Sequence, residues 1–178
     1  MQKDQTPKTA DTFVACFTGH RYLSPEALQH LPRLLDETLT ELIQSGFDTF
    51  RAGGALGFDT LAALKVLELK SLFPHIQLHL FLPCRDQDTL WNEDEKQLYQ
   101  RILAHADQIH YTTEQYCDGC MLERNRQMID GSHLCIAYCH SVAGGSGYSV
   151  KYARQQGVLL LNLAEQIPEQ KHGKEPST

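Results

Sequence analysis

Arg51-Ala52-Gly53-Gly54-Ala55-Leu56-Gly57-Phe58-Asp59 decides how this chain folds on paper. The stretch follows a short apolar run and opens a segment with helical spacing. Glycines at 53, 54 and 57 remove three side chains within five positions, so the backbone can approach a partner closely. A helix start offers unpaired N–H groups and a partial positive charge, which suit a phosphate. Asp59 falls in the first turn, where a carboxylate either accepts from sugar hydroxyls or caps the turn. A second corner of the same kind, Gly144-Gly145-Ser146-Gly147, again separates an apolar run from a helix.

Working outward, residues 13–17 form an apolar run that predicts a central parallel strand, ending in Thr18-Gly19-His20-Arg21. Ser24-Pro25-Glu26 reads as an N-cap with proline at the first helical position. Leu28, Leu31, Leu34, Leu35, Leu39, Leu42 and Ile43 then recur at helical spacing until Ser45-Gly46. Residues 48–52 are the second strand. The helix after the glycine corner carries Leu61, Ala62, Leu64, Leu67 and Leu69 and stops before Pro74. Residues 76–82 are a third strand, and 83–91 a polar loop holding the only tryptophan, Trp91. A helix over 93–106, a short strand over 108–111, a loop over 112–119 and a short helix over 121–130 follow. Residues 133–138 are another strand. A helix runs from the second corner through Val150, Tyr152 and Ala153 to Gly157, and residues 158–163 are the last strand. Strand and helix alternate throughout, which predicts an α/β fold with a mostly parallel sheet. Such sheets bind ligands beyond the carboxyl ends of their strands. Both glycine corners, the 18–21 turn and the 83–91 loop follow strands and share that edge.

The 178 residues suffice for a full core. One domain is expected over 12–166, with disordered ends over 1–11 and 167–178. The formal net charge of −6 opposes a general binder of nucleic acid or of anionic membrane. No apolar run approaches the roughly 18 residues that span a bilayer. The polar start of the chain has no leader pattern, so a cytoplasmic location is expected. Cys16, Cys84, Cys117, Cys120, Cys135 and Cys139 read as reduced thiols. Cys117 and Cys120 with the later pair spell part of a zinc pattern. Cys135 sits inside a strand-like run, however, so no metal ligands and no redox pair are assigned. The apolar helix positions read mainly as core and leave room for a homodimer.

The residue chemistry supports a phosphorylated small molecule. Arg21, Arg124 and Arg126 supply planar, bidentate donors. The glycine corners supply backbone N–H groups. Gln87 and Trp91 can hold a base by hydrogen bond and stacking, although Trp91 packs equally well over the next helix. His20 donates to the ligand and is mostly neutral near pH 7.

Several motifs, taken in order, carry a family resemblance: TGHR, GGALGFDTLAA, PCRDQDTLW, RNRQMID and GGSGYSVKYA. Across residues 13–163 the set resembles the YpsA-like family of the SLOG superfamily. GGALGFD resembles the corresponding turn of DNA-processing protein A, and residues 121–147 resemble the MHERK…PGGxGTxxE segment of the Lonely Guy phosphoribohydrolases. The resemblance implies a Rossmann-like three-layer sandwich and a nucleotide or nucleotide-derived ligand. Arg124 matches the arginine of that segment, and Gly144, Gly145 and Gly147 match its glycines. The catalytic glutamate falls at Lys151 and the threonine at Tyr148, and a lysine cannot act as the carboxylate of N-glycosidic cleavage. The expected function is therefore a sensor or regulator that binds a phosphate-bearing ligand, such as an ADP-ribose-like one, with no required cofactor. A phosphoribohydrolase is the alternative. A single-stranded DNA binder is a further one, opposed by the acidic charge.

Overall fold

The computed structural model describes residues 12–167. In chain order the elements are β1 (Phe13–Gly19), α1 (Pro25–Gln44), β2 (Phe47–Ala52), α2 (Phe58–Leu69), β3 (Gln77–Leu82) and α3 (Glu93–His105). They continue with β4 (Gln108–Tyr111), α4 (Cys120–Ile129), β5 (Leu134–Tyr138), α5 (Gly144–Gln155) and β6 (Leu159–Asn162), then one 3₁₀ turn, Leu163–Gln166. The six strands make one sheet in the order β4-β3-β2-β1-β5-β6, and every neighbouring pair is parallel. This is the α/β, Rossmann-like arrangement.

Side-chain alternation along β1 explains the layers. Ala15 and Phe17 face the core beneath α1, α2 and α3, whereas Cys16 points to the opposite face, where α4 and α5 lie. α1 presents Leu31, Leu35, Leu39 and Ile43 to its core at i, i+4 spacing. It begins where the Ser24 hydroxyl accepts from Ala27 N at 3.1 Å, with Pro25 in the first turn. Strands β1 to β4 step outward in one direction, and the chain then returns to place β5 on the other side of β1. Parallel crossovers keep one hand, so the reversal of strand order also moves the helices to the other face. Cys16 and Cys135 are register partners across β1 and β5, both fully buried.

Element ends move by a residue or two from the sequence reading, and two of the differences have a visible cause. The last strand stops at Asn162, because the Asn162 side chain accepts from Cys139 N at 3.1 Å and from Ala164 N at 3.3 Å and turns the chain into the 3₁₀ segment. Ile167, assigned to the tail, is buried against the main core. The expectations for 1–11 and 168–178 lie outside the described residues.

Candidate functional site at the carboxyl edge

A cleft of about 1240 Å³ opens past the ends of β1, β2 and β3. Its walls include Arg21 and Tyr22 from the β1–α1 loop, Gly57 from the glycine corner, Gln87 and Trp91 from the β3–α3 loop, and Tyr116 from the β4–α4 loop. Gly57 is the N-cap of α2, with φ at 78° and no side chain capping the helix. A Cβ there would collide with the Arg21 carbonyl, so only glycine lets the helix start press against the first loop. Phe58 N donates to His20 O at 3.1 Å across that contact. The Arg21 side chain stays exposed on the cleft wall.

Three of the expected ligand contacts form the frame behind the wall instead. Asp59 and Arg124 are both buried. Gly53 N donates to Asp59 Oδ2 at 3.1 Å, and Arg124 Nη1 donates to the Gly53 carbonyl and, at 3.2 Å, to Phe81 O. Arg124 Nε donates to Asn125 Oδ1 at 2.7 Å. A Cβ on Gly53 would sit 2.7 Å from Asp59 Oδ2 and would also strike the Arg124 guanidinium. Burial pushes the Asp59 carboxyl above the usual carboxylate range, and the Arg124 guanidinium draws it back. Of the two roles open to Asp59, the one visible here is that of a cap on the corner. The Arg124 donors named above are spent on the chain's own acceptors rather than presented to solvent.

Gln87 and Trp91 combine bracing with exposure to the cleft. Gln87 Nε2 donates to Gly54 O at 3.2 Å and to Tyr99 Oη at 2.7 Å. The Trp91 ring meets the Tyr99 ring edge-on at 5.1 Å, so it packs over α3 while still lining the cleft.

At the boundary where strand order reverses, His20 joins three elements. Its N–H donates to Tyr138 O at 3.1 Å, its carbonyl receives Phe58 N, and its Nε2 accepts from His140 N at 2.9 Å. The two imidazoles stack at 5.8 Å and 11°. Burial, then the neighbouring His140, lowers the His20 pKa. Thr18 is buried in β1, and Gly19 lies where a Cβ would meet the Phe58 side chain at 2.6 Å. Both therefore set the strand end and do not line the cleft.

The second corner borders a different space. Gly147 lines a smaller cavity of about 530 Å³ past the ends of β5 and β6, together with His140, Lys151, Arg154 and Asn162. Gly144 and Gly145 open α5 in free surroundings. Arg126 joins neither cavity: its Nε donates to Tyr148 Oη at 2.6 Å, tying α4 to α5. The two glycine corners thus share the carboxyl edge but not one hollow. Tyr22, Tyr116 and Arg154 went unread in the sequence: Tyr22 and Arg154 each fall one residue past a motif and Tyr116 lies in a polar loop, so only folding brings them to a wall. Cys117 is exposed, and Cys120 is buried at the start of α4.

The comparisons with known proteins agree with this architecture. The YpsA family model, described as the YspA SLOG family, matches residues 19–157. The chain belongs to this family. Among YpsA relatives, a UPF0398 protein of Bacillus pumilus is 37% identical over 130 residues, spanning 71% of this chain and 70% of that protein. The SPbeta prophage-derived protein YoqJ of Bacillus subtilis is 32% identical over 118 residues, spanning 60% and 69%. DNA processing protein A of Helicobacter pylori, solved for its single-stranded DNA binding mode, superposes with TM-score 0.61 at 25% identity over 83% of this chain. The same protein of Streptococcus pneumoniae gives 0.59 at 16% over 84%, a likeness of fold. This YpsA-family chain spans 63% and 49% of those two structures. No helix among the described residues is long and apolar enough to cross a membrane.

Proposed function

We propose that the cleft past β1–β3 binds a phosphate-bearing, nucleotide-derived ligand and that the protein acts as a sensor or regulator of it. One observation carries the reading: a single cleft brings together the exposed Arg21, the side-chain-free start of α2 and three aromatic rings, Tyr22, Trp91 and Tyr116. The Arg21 guanidinium suits a phosphate, and the start of α2 adds its partial positive charge, although Phe58 N is itself engaged by the His20 carbonyl. The rings offer faces for a base, and Gln87 a hydrogen-bonding amide beside them. The volume accommodates a nucleotide-sized guest. Asp86 and Glu95 also line the cleft, which favours a ligand with few phosphates.

Trp91 is the chain's only tryptophan, so binding reports itself. Titration with ADP-ribose, NAD and nucleoside mono- and diphosphates should change Trp91 emission and raise the melting temperature with at least one compound. Arg21→Ala should abolish both signals. A panel that moves neither overturns the proposal. Likeness to the H. pylori protein favours single-stranded DNA as the second reading. Salt-sensitive gel retardation tests it, and the net charge of −6 argues for a negative result.

A further inference from the structure

We propose that Cys117 and Cys120 form a reversible thiol–disulfide site, oxidised by low-molecular-weight disulfides, whose state fixes one wall of the larger cleft. Spacing alone does not assign the pair; the local fold supplies the geometry. Residues 117–120 close a β-turn in which Cys120 N donates to the Cys117 carbonyl at 3.2 Å. Gly119, the third residue of the turn, has φ 84° and ψ −9°. Asp118 precedes it, and no non-glycine residue among the described ones has a positive φ, so the turn is of type II. Such a turn holds its end Cα atoms within about 7 Å, and a disulfide spans Cα atoms about 4.4–6.8 Å apart. A Cβ on Gly119 would meet nothing within 4 Å, so no neighbouring group crowds the turn there.

The two thiols differ in access, which sets the order of events. Cys117 is exposed, whereas Cys120 is buried as the first residue of α4. The Cys117 thiolate attacks one sulfur of the small disulfide; a Cys117 mixed disulfide forms, the small S–S bond breaks and one small thiolate leaves. Cys120 then gives up its proton, attacks the Cys117 sulfur and expels the second small thiolate. Two cysteine thiols are thereby oxidised to one disulfide, and the small disulfide is reduced to two thiols that take up the two protons. Cys84 is buried, and burial together with Asp86 pushes its thiol up to about 11, so it stays protonated and does not compete. Tyr116 and Met121 flank the pair directly, and both line the cleft. Tyr116 N also donates to Asp86 Oδ1 at 3.0 Å, which joins this loop to the one after β3. A bond from Cys117 to Cys120 therefore locks the segment between two wall positions, whatever the cleft binds.

The test equilibrates the reduced full chain with glutathione disulfide, alkylates the remaining thiols and maps the peptides by mass. It reads thiols and needs no cleft ligand, so its failure is distinct from failure of the nucleotide reading. A Cys117–Cys120 bond within one chain is expected, with the other cysteines alkylated and the bond reopened by reduced glutathione. Cys120→Ser should trap glutathione on Cys117, and Cys120→Ala repeats the trap if the serine variant does not fold. Cys117→Ser should leave Cys120 unreacted. Amide hydrogen exchange over residues 112–119 should slow in the oxidised chain. No reaction, a parent chain that keeps glutathione on Cys117 beside a free Cys120, or a bond to any other cysteine or to a second chain would overturn the site. Formation of the bond with unchanged exchange would overturn its hold on the cleft wall.

Discussion

The guanidinium of Arg124 lies between the ends of β2 and β3, donating to the carbonyls of Gly53 and Phe81 behind the cleft. Burial lowers its pKa, and the nearby Asp59 opposes that shift. Arg124→Met would strip both carbonyls of a donor and leave Asp59 buried without a cation. Arg124 forms no salt bridge with Asp59, so the loss is chiefly that of a donor to two buried carbonyls, on the order of 2–4 kcal/mol. At about 2–4 °C per kcal/mol for a chain of this size, the melting temperature should fall by on the order of 10 °C. Asp59→Asn in the Arg124→Met background should recover part of the loss, because the orphaned charge is gone. A thermal melt of the three variants decides it. Sequence could name Arg124 as an important arginine but not its destination, since phosphate and backbone carbonyl accept from the same five donors. Gly53 was legible as a close-approach position for the same reason that it was misdirected: the approaching group is the protein's own side chain.

Helix starts vary in how they are sealed. α3 has a reciprocal cap, with Glu95 N donating to Asn92 Oδ1 at 2.9 Å and Asn92 N to Glu95 Oε2 at 3.0 Å. α2 and α5 have no side-chain cap. Asn92→Ala should therefore cost about 1 kcal/mol, with a melting temperature a few degrees lower, and should leave ligand-induced changes in Trp91 emission in place. Strand and helix order were readable throughout, because apolar period distinguishes the buried runs of β1 and β5 from the Leu31–Leu35–Leu39 stripe of α1. What was unreadable was lateral position. A motif such as GGSG announces a helix start, whereas strand order decides that it opens beside β6 rather than beside the corner at Gly57.

Several loops meet at His20, and the junction titrates. Its Nε2 accepts the His140 N–H, so a proton there breaks the link. Its pKa is held down by burial and by His140, below the ordinary value of about 6.5. Between the ordinary and the lowered value the unfolded chain binds a proton that the folded one refuses. Stability is thus intact above about pH 6.5 and declines as pH falls below it. His79, lowered chiefly by burial, acts in the same direction, while the raised Asp59 acts in the other. Urea midpoints at about pH 8 and about pH 5.5 should therefore be compared between the parent chain and His20→Gln, with the smaller acid loss in the variant. Equal losses would show that the junction does not sense protons. The position of β1 carries a consequence of another kind. One neighbour, β2, follows it closely in the chain, but the other pairs Cys16 with Cys135 across most of the length. During synthesis the first four strands emerge while β1 still offers an open, apolar edge, and only the late arrival of β5 seals it. Nascent chains stalled before residue 134 are thus the species most exposed to aggregation and most in need of a chaperone.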